Sequence, residues 1–114
     1  MSGSLGHEID RLASVIAARS EAGDGAQSYT ASLLAKGPGH CARKFGEEAV
    51  EAVVAASERD ASAVTAEAAD ALYHLLVLLR AVGVAPDAVA AELDKRQGVS
   101  GHAEKAARSA SKED

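Results

Sequence analysis

Apolar side chains recur along this chain at intervals of three and four, with no sustained run of period two, so the pattern predicts helices throughout. Leu5, Ile9, Leu12 and Ile16 mark a first helix from about Leu5 to Arg19, with Glu8, Asp10 and Arg11 on its other faces. Gly23, Asp24 and Gly25 place a loop over Ser20 to Gln27, after which Ser28-Tyr29-Thr30 caps a short helix through about Ala35. Lys36-Gly37-Pro38-Gly39 breaks the chain, and Pro38, which has no N–H to leave unsatisfied, starts a helix carried to about Ser57. Phe45, Ala49, Val53 and Ala56 read as its buried stripe. Asp60 or Ser62 caps a long helix that ends near Val82 with Gly83 just beyond, its core side being Leu72, Leu75, Leu76, Leu79 and Val82. Pro86 opens a last helix, with Val89 and Leu93 buried and Gly98 ending it.

Two acidic clusters interrupt this apolar pattern, Glu47, Glu48 and Glu51 on the third helix and Glu67 and Asp70 on the fourth. Residues three apart share a helix face, so Glu48 and Glu51 project together, as do Glu67 and Asp70. The short connection between the two helices makes them antiparallel neighbours, with the carboxylates at the edge of their shared seam. Two such charges about 4 Å apart repel by roughly 4 kcal/mol at an effective dielectric near 20, and a divalent cation reverses that sign. Oxygen donors without Cys or His ligands favour Mg²⁺, or Mn²⁺, over zinc or copper, and Mg²⁺ commonly bridges carboxylates to substrate phosphates. A polyphosphate substrate follows. The plain alternative is that an Ala- and Glu-rich helix carries acids on a solvated face; the second pair, at E-x-x-D spacing on the adjacent helix, weighs against it.

Composition narrows the remaining choices. At 114 residues the chain is one domain, and with 47% hydrophobic but only 3% aromatic residues its core must be built from Ala, Leu and Val. The fold class read from these features is all-α, an antiparallel bundle of four to five helices completed by dimerisation. A net charge of −5 argues against nucleic acid as a partner, because phosphate backbones demand a basic surface. The single cysteine, Cys41, excludes an intramolecular disulfide, agrees with a cytoplasmic setting and reads as a packing residue. No signal peptide is visible, and the most apolar segment, Ala71 to Val82, reads as too short for a membrane span and is broken by His74 and Arg80. Residues 1–4 read as a flexible start, 5–98 as the helical domain and 99–114 as a basic tail that frays on its own.

Taken together, the segments Ser28-Tyr29-Thr30-Ala31-Ser32-Leu33-Leu34, Lys36-Gly37, Lys44-Phe45-Gly46-Glu47-Glu48-Ala49-Val50-Glu51, Glu67 through Leu79, and Gly101-His102-Ala103-Glu104-Lys105 resemble the phosphoribosyl-ATP pyrophosphohydrolases. These act second in histidine biosynthesis and belong to the MazG-like all-α nucleoside triphosphate pyrophosphohydrolases, whose E-E-x-x-E and E-x-x-D pattern is matched without substitution. The resemblance runs from about Leu5 to Arg108, and the length implies a stand-alone enzyme. It implies hydrolysis of the α–β phosphoanhydride of 1-(5-phosphoribosyl)-ATP with Mg²⁺. By motif position Glu48, Glu51, Glu67 and Asp70 would be metal ligands, and Glu47 a further ligand or the group that orients the water. Lys36, Lys44, Lys105 and Arg108 sit in family-like segments and are the candidates for phosphates the metal does not cover, each with a plain alternative as a surface charge.

His74 follows Asp70 by four residues, which favours a substrate or supporting role over that of an interior histidine. Tyr29 and Tyr73 read more readily as core than as ligand contacts. The tail departs from the family's pattern at His102 and Ala107, which weakens the reading of Lys105 and Arg108 more than that of the metal site. Three other functions compete. A house-cleaning pyrophosphohydrolase acting on dNTPs would carry the same acidic motif; a di-iron bundle would want Glu-x-x-His, which does not occur; a non-catalytic dimerisation module would leave the acids solvated.

Overall fold

The computed structural model describes residues 3–22, 28–97 and 108, and all of its elements are helices: α1 (Leu5–Ala22), α2 (Tyr29–Ala35), α3 (Pro38–Ser57), α4 (Ala61–Val82) and α5 (Pro86–Arg96). There is no strand among the described residues, in keeping with the all-α reading. Gly98, read as the end of the last helix, the tail apart from Arg108, Lys105 included, and most of the loop before α2 lie outside them. The chain divides into two compact units, residues 1–84 and 85–114, with the acidic motifs both in the first.

Local sequence sets the helix limits. Ser28 caps α2 by accepting a hydrogen bond from the Ala31 amide at 3.2 Å, and Asp60, rather than Ser62, caps α4 through the Ala63 amide at 3.0 Å. Pro38 and Pro86 stand in the first turns of α3 and α5. α1 runs three residues beyond the predicted Arg19, and α5 stops at Arg96. Both α3 and α4 end in the same left-handed turn. The Val84 amide reaches back to the Leu79 carbonyl around Gly83 (φ 77°), and the Asp60 amide to the Ala55 carbonyl around Arg59 (φ 57°).

Within the first unit α3 and α4 form the dominant packing pair, with α1 laid against α4 and α2 bridging α1, α3 and α4. The core sits at one end of this arrangement, where Ile16, Leu33, Cys41, Leu76 and Val77 meet, with Ile9, Leu12, Tyr73 and Leu79 partly buried around them. Cys41 packs as expected: it is a free thiol whose Sγ donates to the Leu33 carbonyl at 3.3 Å. Val77, which no predicted stripe included, is fully buried.

The buried face of α3 is not the predicted one. Phe45 and Ala49 are half-buried, but Val53 is 67% exposed and Ala56 is exposed too; the face turned to α4 carries Cys41, Glu48, Ala52 and Ala55. Aliphatic residues surround α3 so fully that periodicity alone does not single out one stripe. Val82, read as core, is exposed at the end of α4. Val89 and Leu93, read as buried, are also exposed, for within the second unit α5 has no other described helix of any length to cover it. At 22 residues α4 is long and apolar enough, by length and composition, to cross a membrane, so the shorter segment Ala71 to Val82 understates its apolar length. In this fold α4 is the central helix, packed by α1, α2 and α3.

Candidate active site

Antiparallel pairing turns the two acidic motifs toward each other across the α3–α4 seam. Small residues at Ala52, Ala55 and Ala63 keep the helices close, and Glu48 lies within the seam rather than beside it. One carboxylate oxygen from each of Glu48, Glu67 and Asp70 falls within 4.8 Å of the other two. Ligands about 2.1 Å from a common Mg²⁺ ion stand roughly 3 to 4 Å apart, so small rotamer adjustments bring this set to coordinating distance.

Electrostatics mark the same group. Glu67 is pushed above its ordinary value first by the neighbouring Glu51 carboxyl, with which it is close enough to share a proton, then by burial and the charges of Glu51, Asp70 and Glu48. For Glu48 burial acts first, followed by the Glu51 carboxyl and the Asp70 charge, with Lys44 opposing. Oε2 of Glu67 is buried and finds no hydrogen-bond partner among the described residues. A carboxylate oxygen stranded among like charges is the environment a cation relieves, and the all-oxygen donor set is one that hard divalent ions take. Glu51, although exposed, joins the group through its contacts with Glu48 and Glu67.

Other predicted residues fall differently. Glu47 is not one of the three converging carboxylates; its side chain is 61% exposed and its carboxylate lies 3.4 Å from Lys44 Nζ. That bond, with the Glu47 charge, raises the Lys44 ammonium above its ordinary value and keeps it cationic. His74 is only 6% exposed; burial and then the Lys44 charge lower its pKa from 6.5, and its Nδ1 is buried without a partner among the described residues. Lys36 is exposed at the end of α2. Arg108 belongs to the second unit, where its charge acts on Glu92, and Lys105 lies outside the described residues.

Three residues left off the sequence-based site adjoin it. Tyr73 shares a 2.6 Å hydrogen bond with Thr30 and stacks with Tyr29, and His74 meets both rings edge-on. Periodicity gave no sign of this, because Tyr29 and Tyr73 are brought together from separate helices. The signal in the sequence was adjacency: Tyr73 precedes His74 on the helix that carries Glu67 and Asp70.

Fold and seam together define an all-α protein in which a helix pair presents converging carboxylates able to hold a cation. Residues 9–97 match the family model for phosphoribosyl-ATP pyrophosphohydrolase, and the chain belongs to that family. Among curated relatives, the phosphoribosyl-ATP pyrophosphatase of Sphingopyxis alaskensis is 54% identical over 108 residues, covering 95% of this chain and 99% of its own. That of Dinoroseobacter shibae is 58% identical over 100 residues, 88% of this chain and 97% of its own, and that of Paracoccus denitrificans 55% over 108 residues, 95% and 99%.

Proposed function

We propose that this chain hydrolyses the α–β phosphoanhydride of 1-(5-phosphoribosyl)-ATP, releasing pyrophosphate and phosphoribosyl-AMP, the second step of histidine biosynthesis. The observation that carries the reading is the convergence of Glu48, Glu67 and Asp70 across the α3–α4 seam, with Glu51 against them, in a chain whose relatives carry that activity in their names. Glu48, Glu51, Glu67 and Asp70 would hold Mg²⁺, with Mn²⁺ a workable substitute. When bound, the ion would neutralise charge developing on the phosphate oxygens and lower the pKa of the attacking water.

The chain's own side chains supply the remaining functions. Glu47, exposed and paired with Lys44, is the group we assign to orienting the water. Lys44 sets a positive charge beside the acidic seam, where it can engage a phosphate oxygen. Lys36, His74, Lys105 and Arg108 complete the proposed substrate contacts. The helices act by position, holding nucleotide and water in one geometry so that little motion is needed in the reaction itself. No covalent intermediate is required.

A cytoplasmic homodimer is the proposed working form. Val50, Val53 and Val54 make an apolar stripe on the side of α3 turned from α4, which a second copy of the chain would cover. Release of pyrophosphate from phosphoribosyl-ATP, compared with release from dNTPs and measured with and without Mg²⁺, tests the reading. Turnover of phosphoribosyl-ATP that requires the cation and exceeds turnover of dNTPs supports it; equal or better cleavage of dNTPs would move the chain to the house-cleaning branch.

A further inference from the structure

The acidic seam accounts for a nucleotide's phosphates and leaves its base without a seat. One turn along α4 from Asp70, about 5.4 Å of rise and of the order a ribose spans, three rings meet. Tyr29 lies nearly parallel to Tyr73, with an interplanar angle of 16° and centroids 6.3 Å apart. His74 stands edge-on to both, 6.2 Å from Tyr29 and 5.0 Å from Tyr73.

Two features separate this group from an ordinary aromatic cluster in a core. Tyr29 is 58% exposed, whereas Tyr73 behind it is half-buried and pinned through its hydroxyl to Thr30 Oγ1 at 2.6 Å. One tyrosine is thus held by the fold and supports a second that stands open to solvent. The other feature is His74, buried with Nδ1 unpartnered among the described residues. A leucine would fill that position without stranding a polar atom, so a histidine there leaves a nitrogen free to take a ligand's hydrogen bond. Lys44 is near enough to both Tyr29 and His74 for its charge to act on them, which links the rings to the proposed phosphate end of the site.

We propose that Tyr29, backed by Tyr73 and His74, is the stacking platform for the purine base of the nucleotide whose phosphates the α3–α4 carboxylates engage; this rests on the pyrophosphohydrolase reading above. Flat rings stack in offset geometry at centroid separations of about 4.5 to 7 Å, and any purine offers such a face.

The chain has two tyrosines and no tryptophan, so its intrinsic emission reports on these two rings alone. Titrating the full chain with phosphoribosyl-AMP in Mg²⁺ should quench tyrosine emission saturably, and inorganic tripolyphosphate, which lacks a base, should not. Tyr29→Ala should raise KM for phosphoribosyl-ATP about tenfold, with a much smaller effect on kcat, which is the scale of a lost base stack. Tyr29→Phe should hold KM within about twofold. An unchanged KM in Tyr29→Ala, a loss confined to kcat, equal quenching by tripolyphosphate, or a changed oligomeric state in that variant would each overturn the platform. If the wild-type chain fails to cleave phosphoribosyl-ATP yet shows Tyr29-dependent quenching by the nucleotide, the platform stands and the reaction assignment fails. Turnover without quenching sinks the platform alone.

Discussion

The two faces of α3 invert the usual order of an amphipathic helix. The side packed on α4 carries Glu48 among alanines and Cys41, while the side open to solvent carries Val50, Val53 and Val54, at 60%, 67% and 49% exposure. Burial of apolar area favours the opposite arrangement, and placing carboxylates against one another disfavours folding. On the function proposed above, a cation on one face and a second copy of the chain on the other would offset both costs. The contrast therefore separates what the chain does alone from what it does with partners.

The packed face is broken most severely by removing one carboxylate. Glu48→Gln or Glu67→Gln should lower pyrophosphate release by about 100-fold or more while circular dichroism shows full helicity; turnover retained in either variant would remove the packed face from the chemistry. The open face is tested by Val53→Asp, which places a charge in the apolar stripe. Light scattering should then report a monomer where the wild-type chain forms a dimer, with helicity unchanged, and a monomeric wild type would show that the stripe has another use.

A smaller effect sharpens the electrostatic side of the comparison. Because the Glu67 carboxyl in the fold titrates above its ordinary value of 4.5, its contribution to stability is fully present below pH 4.5 and is lost as pH rises through the raised value. Without divalent ions, Glu67→Gln should therefore melt above the wild-type chain at pH 7, and the difference should close as pH falls toward 4.5. Added Mg²⁺ should reverse the order at pH 7 by stabilising only the chain that binds it. An advantage for the Gln variant that did not depend on pH would detach it from ionisation. The smallest effect lies in the turn that fixes the register of α3 against α4. Arg59 holds a left-handed conformation that Gly83 adopts freely in the equivalent turn after α4. Arg59→Gly should stabilise the fold by about 0.5 kcal/mol, the relief of strain partly offset by the freedom glycine gains in the unfolded chain, as read by urea denaturation.

Helix existence was legible because its signals are local. Ser28 and Asp60 as caps, Pro38 and Pro86 in first turns, and Gly83 as terminator each act through a backbone group a few residues away. The acidic cluster was legible for a related reason, since E-x-x-E and E-x-x-D fix a face and a short turn returns the second helix to the first. Burial on α3 and α5 was misread where the apolar residues lie outside the packed surfaces, as with Val53, Val89 and Leu93. Hydrophobicity says that a side chain prefers to be covered, without saying by what.

The sequence by itself determined the helical class, most of the helix ends, the facing acidic motifs and the family, because spacing and end chemistry are properties of a single segment. Only the tertiary structure decided that Glu48 lies in the seam while Val53 does not, that Glu67 strands an oxygen there, and that Tyr29 from α2 meets Tyr73 and His74 from α4. Those outcomes depend on how each helix is rotated about its own axis against its neighbours. On a helix as evenly aliphatic as α3, that rotation is set by the shape and charge of the surfaces it meets rather than by its own periodicity.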